Sequence, residues 1–275
     1  MRCRRPSQHG STLKKASLWG AFFVCGLTGA PAALAAACPL LPGGQEVVVR
    51  QVVDGDTLRL VDGRSVRLIG VNAPELGKSG GTAQPYAEAA RRRLQELVAA
   101  SDERLRLVPG GEATDHYGRT LAHLYDRQGS NLEAQLIAEG LGYAVAIAPN
   151  TRLAACQAAA ESQARQARLG VWRQDPSIAA THIEEGGFAV VQGRLLDVER
   201  NRGGLWLRLE GDLVVHVADR FIEAFDGVPL RQWIGRTLEA RGWIVDRSRR
   251  QEVGRARWQM TLSDPHMLGL RVESF

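Results

Sequence analysis

Asp54-Gly55-Asp56-Thr57-Leu58, then Arg67-Leu68-Ile69-Gly70-Val71-Asn72-Ala73-Pro74-Glu75, then Asp115-His116-Tyr117-Gly118-Arg119: the reading of this chain turns on these three segments. Asp54-Gly55-Asp56 is a turn signal between two runs rich in β-branched residues, Glu46–Val53 and Thr57–Val61. Asp62-Gly63 marks a hairpin turn and Ser65–Val71 a third strand. Arg104–Val108 and Thr120–Tyr125 predict two further strands on either side of the Asp115–Arg119 turn. Pro85 suits a first helical position, and Tyr86, Ala90, Leu94 and Leu97 follow at helical spacing. Asn131 predicts a helix cap, with the helix running to about Glu139 and ending at Gly140. Thr151–Leu169 predicts a longer helix stopped by Gly170. Five short strands with three helices fit a mainly β, α+β architecture, a five-stranded barrel of OB type.

The three segments also carry chemistry. They bring carboxylates, two guanidiniums and a Gly/Pro-shaped backbone into one stretch, the equipment that phosphodiester hydrolysis requires. From about Val47 to Trp172 the chain resembles the thermonuclease, or staphylococcal-type nuclease, family. The resemblance rests on the DGDT turn, the Arg67–Glu75 block, the Asp-x-Tyr-Gly-Arg turn and the terminal Leu169-Gly170-Val171-Trp172. It covers somewhat under half the chain. It implies the same OB barrel, a nuclease acting on DNA and RNA with little sequence preference, Ca²⁺ as the cofactor, and products ending in 3′-phosphates.

Within that frame Glu75 is the expected general base, presented at a strand end by the fixed backbone of Pro74. Arg67 and Arg119 are expected to clamp the non-bridging phosphate oxygens, which planar guanidinium forks do better than a lysine. Gly118 gives the turn the freedom to aim Arg119 inward. Asp56 is the expected ligand of a calcium-sized ion, with the Ala73 carbonyl and Asn72 beside it. Here the chain departs from the family, which usually has Asp where Asn72 stands; the lost charge predicts weaker Ca²⁺ binding. Val145 and Ile147 occupy positions where the best-known relative carries two pocket tyrosines, so base stacking there should be weaker. Tyr117 and Lys78 are candidate substrate contacts, Lys78 on a glycine-rich loop from Leu76 to Gln84. Arg91-Arg92-Arg93 reads as a solvated helix face.

The first 37 residues read as a secretory signal peptide: a basic start, an apolar stretch from Ala16 to Leu27, and small residues leading to Ala35 or Ala37. Periplasmic or secreted location follows, with no membrane span after cleavage; an uncleaved anchor or a lipoprotein at Cys38 are the alternatives. The chain has 35 basic and 30 acidic residues, but that leader holds five basic and no acidic ones. The remainder is balanced, so attraction to phosphate must come from local clusters. Two cysteines remain beyond it, Cys38 and Cys156. They pair in an oxidising compartment, or Cys156 is buried and Cys38 free or lipidated.

Residues 38–176 thus form the nuclease-like domain and 177–187 a linker. Residues 188–275 form a β-rich region whose strand order, Ala189–Val198, Leu205–Leu209, Leu213–Ala218, a short helix at Phe221–Phe225, Thr237–Val245 and Trp258–Leu262, suggests a second OB-like barrel. Arg247, Arg249, Arg250, Arg255 and Arg257 lead up to Trp258, a pattern suited to single-strand binding, although Trp258 at a strand start also suits the core. A monomer with no stable protein partner is expected. The leading reading is an exported, Ca²⁺-assisted nuclease; the alternatives are a nuclease-like binding module, or a chain whose C-terminal region serves envelope association.

Overall fold

Alternating strands and tight turns close the first barrel. In the computed structural model, which describes residues 38–77, 82–248 and 256–271, β1 (Gln45–Val52) turns through Asp54–Asp56 into β2 (Thr57–Leu60) and then β3 (Ser65–Leu68). A two-residue strand, β4 (Val71–Asn72), follows, then helix α1 (Ala87–Ala99), β5 (Arg104–Thr114) and β6 (Thr120–Tyr125). The ring runs β1-β2-β3-β6-β5 and closes through β5–β1. Every pairing is antiparallel except β3–β6, which is parallel. Val47, Val49, Leu58, Leu60, Val66, Leu68, Leu105, Leu107, Ala122 and Leu124 fill the interior, as period-2 alternation requires.

The helices cover the barrel. Tyr86 adopts a left-handed φ of 69°, so α1 starts at Ala87, two residues beyond the expected position at Pro85. Leu94, Leu97 and Val98 join the barrel core. Asn131 caps α2 (Leu132–Ala138) by accepting from the Ala134 amide at 2.9 Å. After β7 (Tyr143–Ala144), helix α3 runs from Ala154 to Gln166, shorter at both ends than the sequence predicts. Gly140 and Gly170 meet backbone to backbone: a Cβ on Gly170 would lie 1.9 Å from the Gly140 carbonyl oxygen, and both have positive φ. Cys38 and Cys156 are joined, tying the start of the described chain to α3 across 118 residues of sequence.

The C-terminal region repeats the architecture. Its strands are β8 (Ile178–Ala179), β9 (Gly187–Asn201), β10 (Gly204–Leu209), β11 (Leu213–Ala218), β12 (Thr237–Asp246), β13 (Trp258–Leu262) and β14 (Leu268–Leu270). The run β9-β10-β11-β13-β12 closes on itself through β12–β9, and again only the third and fifth strands, β11 and β13, run parallel within that ring. This is a second barrel of the same connectivity. A 3₁₀ turn at Asp219–Phe225 stands where α1 stands in the first. The stretch expected as a linker carries structure: β8 pairs with β9, and Ala180 and Ile183 enter the second core.

The barrels share packing. Val145, Ala146 and Ala154 belong to the same buried cluster as the second barrel's Val191, Val215 and Met260. Tyr143 packs against both Trp172 and Phe188. The Ala148 amide donates to Ser263 Oγ at 2.9 Å. No helix among the described residues is long and apolar enough to cross a membrane. The expected leader, Lys78, and Arg249, Arg250 and Arg255 lie outside the described residues.

Candidate active site

The turn between β1 and β2 folds on itself because Asp54 Oδ1 accepts from the Asp56 amide at 3.0 Å. That local bond makes Asp54 a turn former and buries Asp56, which is 7% exposed. Asp56 then gathers the site. Its Oδ1 accepts from the Thr57 hydroxyl at 3.0 Å, and its Oδ2 accepts from the Ala73 amide at 2.8 Å. Arg67 Nη2 lies 3.1 Å from the same Oδ2. The sequence-predicted Asp56, Arg67, Asn72 and Ala73 are therefore one cluster, with Ala73 meeting Asp56 through its N–H.

Burial pushes the Asp56 carboxyl up to about 6, and the Asp54 charge adds to that rise. The Arg67 guanidinium, the Ala73 amide and the Thr57 hydroxyl oppose it without prevailing. A buried acid whose ionisation one Arg does not fully support is a place where a further cation lowers the energy. Asp56 and the Asn72 amide offer hard oxygens, a donor set that fits Ca²⁺ when water or substrate phosphate completes the shell. Among the described residues no group of three or more His, Cys, Asp or Glu side chains forms a metal cage.

Arg67 is held on all sides. Nη1 donates to the Leu68 carbonyl at 2.8 Å and the Val71 carbonyl at 2.7 Å, while Nη2 reaches Asn72 Oδ1 at 3.1 Å besides Asp56. The guanidinium is preorganised, but both Nη groups point at protein oxygens. Glu75 follows Ala73-Pro74 with its side chain exposed. Its backbone is fixed by Gln84, whose Oε1 accepts from the Glu75 amide at 2.8 Å and whose amide donates to the Glu75 carbonyl at 2.9 Å.

Arg119 arrives from the neighbouring strand. Arg67 stands opposite Leu121 in the parallel β3–β6 pair, and Arg119 lies two residues before Leu121, hence on the same outer face. Asp115 shapes the turn, accepting from the Arg119 amide at 2.9 Å and Arg119 Nε at 2.7 Å. Burial acts to raise the Asp115 carboxyl, but these bonds and the Arg119 charge outweigh it and hold it low. Tyr117 is 73% exposed, and the Arg119 guanidinium stands 5.4 Å from its ring centre. Val145 is buried under the second barrel and Ile147 is half-exposed, so neither offers an aromatic face.

A linkage the sequence did not disclose runs from the second barrel to this site. Arg241 of β12 pairs with Glu161 of α3, both buried. The other Glu161 oxygen, Oε1, accepts from the Ala144 amide at 2.8 Å. Ala144 and Tyr143 form β7, which pairs with Val71 and Asn72 of β4. Arg165 and Glu239 complete the cluster at 2.6 Å. The signal was faint: a lone Glu and a lone Arg 80 residues apart, each on an element whose neighbours sequence alone does not reveal.

Residues 65–174 match the family model described as "Staphylococcal nuclease homologue". The chain is 34% identical to a thermonuclease of Staphylococcus intermedius, over 48% of this chain and 78% of that protein. It is 33% identical to endonuclease YncB of Bacillus subtilis, over 46% of this chain and 61% of that one. A prophage-derived endonuclease of Bacillus subtilis, YokF, is 32% identical over 47% of this chain and 45% of its own length.

Proposed function

The chain belongs to the staphylococcal nuclease family and is a nuclease, and from that premise we propose that it is an exported, Ca²⁺-dependent phosphodiesterase cutting DNA and RNA with little sequence preference. The observation that carries the reading is the buried Asp56–Arg67–Asn72 cluster, closed by the Ala73 amide two residues before Glu75. Glu75 takes the proton from a water attacking phosphorus. Arg67 and Arg119, fixed on one face, meet the charge that builds on the phosphoryl oxygens.

Asp56 and Asn72 are the residues to hold Ca²⁺, which when bound supplies charge stabilisation at the phosphate. Were their oxygens to hold the ion, Arg67 Nη2, which bonds to Asn72 Oδ1 and faces Asp56 Oδ2, would be the donor left for a phosphoryl oxygen, with Nη1 anchored on the Leu68 and Val71 carbonyls. Asn72 brings one negative charge fewer than an Asp, so the Ca²⁺ requirement should be high. Cleavage leaves 3′-phosphates, the protein works as a monomer, and its place is the periplasm or the medium.

The test is cleavage of single-stranded DNA in Ca²⁺ or in EDTA, beside Glu75→Gln. Removal of a general base should cost at least about 10²-fold, and EDTA should abolish the wild-type rate. A folded protein that stays inactive at millimolar Ca²⁺ would instead support a binding module, with Asn72, Val145 and Ile147 as its marks.

A further inference from the structure

Both barrels build their second and third strands as a hairpin with a three-residue turn, Val61–Gly63 in the first and Glu210–Asp212 in the second. Three pairs in from the turn-closing pair, the first barrel places Thr57 opposite Arg67. At the same ladder position the second places Trp206 opposite His216. The alternation Leu205-Trp206-Leu207-Arg208-Leu209 sends the leucines into the core and Trp206 and Arg208 to the outer face.

This outer face is built, not incidental. The Trp206 and His216 rings stack, with centroids 4.0 Å apart and an angle of 22°. Trp206 Nε1 donates to Asn201 Oδ1 at 3.0 Å, and Asn201 Nδ2 donates to Glu199 at 2.9 Å. His216 Nε2 is 2.9 Å from the Gly203 carbonyl. The ring edges are thus tied to the β9–β10 turn, while Trp206 stays partly exposed. It lines a cleft of about 360 Å³ with Asp197, Arg208, Val214 and Arg247. Arg208 is exposed and forms no ion pair among the described residues.

A fixed indole face beside a cation open to an anion suits a base and its phosphate. Of the two acids here, Glu199 is committed to Asn201, and Asp197, opposite Arg208 in the ladder, is an acceptor fit for a base amino group. We propose that the outer face of β9–β11 is a second nucleic-acid site that takes an unpaired nucleotide of a single strand, base on Trp206 and phosphate on Arg208. Trp258, which the sequence offered as the aromatic partner, is 4% exposed and belongs to the core. The occupant is chosen because the same chain is a nuclease, so this site rests on that reading.

The experiment measures binding of a labelled deoxycytidine dodecamer by anisotropy, in EDTA and in a Glu75→Gln background so that the strand survives. Trp206→Ala should weaken binding at least about fivefold, from a stacking contribution of roughly 1–3 kcal/mol. Arg208→Glu, at an exposed position, should weaken it comparably and make binding less salt-dependent. Trp206→Phe, which keeps a ring, should bind within about twofold of the parent. Unchanged affinity in both Trp206→Ala and Arg208→Glu, or a parent that does not bind the strand, overturns the proposal. Wild-type cleavage is measured alongside: a strand that is cut but bound independently of Trp206 defeats this site alone, whereas Trp206-dependent binding without any cleavage defeats the nuclease reading and leaves this site standing.

Discussion

Three pairs in from the hairpin turn, one barrel of this molecule carries Arg67 beside Thr57 and the other His216 beside Trp206. The strand order, the single parallel pair and the closing pair are the same in both. The difference that follows is in the connection after the third strand. In the first barrel Gly70 turns the chain into β4, which pairs with β7 and delivers Asn72 and Ala73 to the buried Asp56–Arg67 pair, with Glu75 two residues further on. In the second, β11 runs directly into the Asp219–Phe225 turn, and among the described residues its connection to β12 carries no strand that returns to the face. A barrel supplies a surface, and the chemistry is grafted on by a few residues and one connection.

Four changes sharpen or break this contrast. The largest concerns the staple, which lies in the first barrel's half. Cys38→Ser with Cys156→Ser reopens 118 residues of chain and should cost roughly 4–5 kcal/mol in the loop-entropy account; urea denaturation with and without reductant reads it, and equal midpoints would contradict it. Next is Arg241→Met, which leaves Glu161 buried with less support and should cost roughly 3 kcal/mol. The melting temperature should fall, and a fragment ended at Pro176, which lacks Arg241 altogether, should be less stable than the full chain; a fragment as stable as the full chain would show that the first barrel needs no brace.

Asn72→Asp adds a negative charge at the cluster proposed to hold Ca²⁺, and its Ca²⁺ half-saturation for cleavage should drop by a factor of a few, on the order of threefold or more. Identical requirements in both proteins would remove Asn72 from the metal account. The smallest effect is one of pH. Burial acts to raise the Glu239 carboxyl, but its bonds to Arg165 and the charges of Arg165, Arg241 and Arg271 hold it below its ordinary 4.5. A carboxyl lowered in the folded state contributes stability that is present above 4.5 and lost as pH falls through its folded value. Acid below that window should loosen the junction, and Glu239→Gln should flatten that part of the stability curve; an unchanged curve would count against the ion pairs there.

Much of the first barrel was legible because its signals are local. Asp54-Gly55-Asp56 and Asp62-Gly63 specify turns by their own side chains, and Asn131 caps α2 through a bond three residues away. Arg67, Asn72 and Ala73 lie on one short segment, so their clustering with Asp56 needed few tertiary contacts, and Glu75 follows two residues later on the same segment. What stayed hidden is long-range. Arg241 and Glu161 meet only because two barrels pack, and Val145 is covered by residues more than 40 positions further on. The start of α1 was missed because a left-handed Tyr86 interrupts a pattern in which Pro85 looked like the first turn. Trp206 was legible in the leucine alternation around it, yet the arginine run before Trp258 drew the reading elsewhere.

The most direct measurement compares the one ladder position in its two settings: the single-turnover rate of DNA cleavage at saturating Ca²⁺ for Arg67→Ala and for His216→Ala. Loss of a preorganised donor to the phosphoryl oxygens should cost Arg67→Ala about 10²-fold or more, while His216→Ala should cleave bound DNA within about twofold of wild type, its loss confined to strand affinity. Equal falls in rate for the two variants, or none for Arg67→Ala, would contradict the assignment of the chemistry to the first barrel.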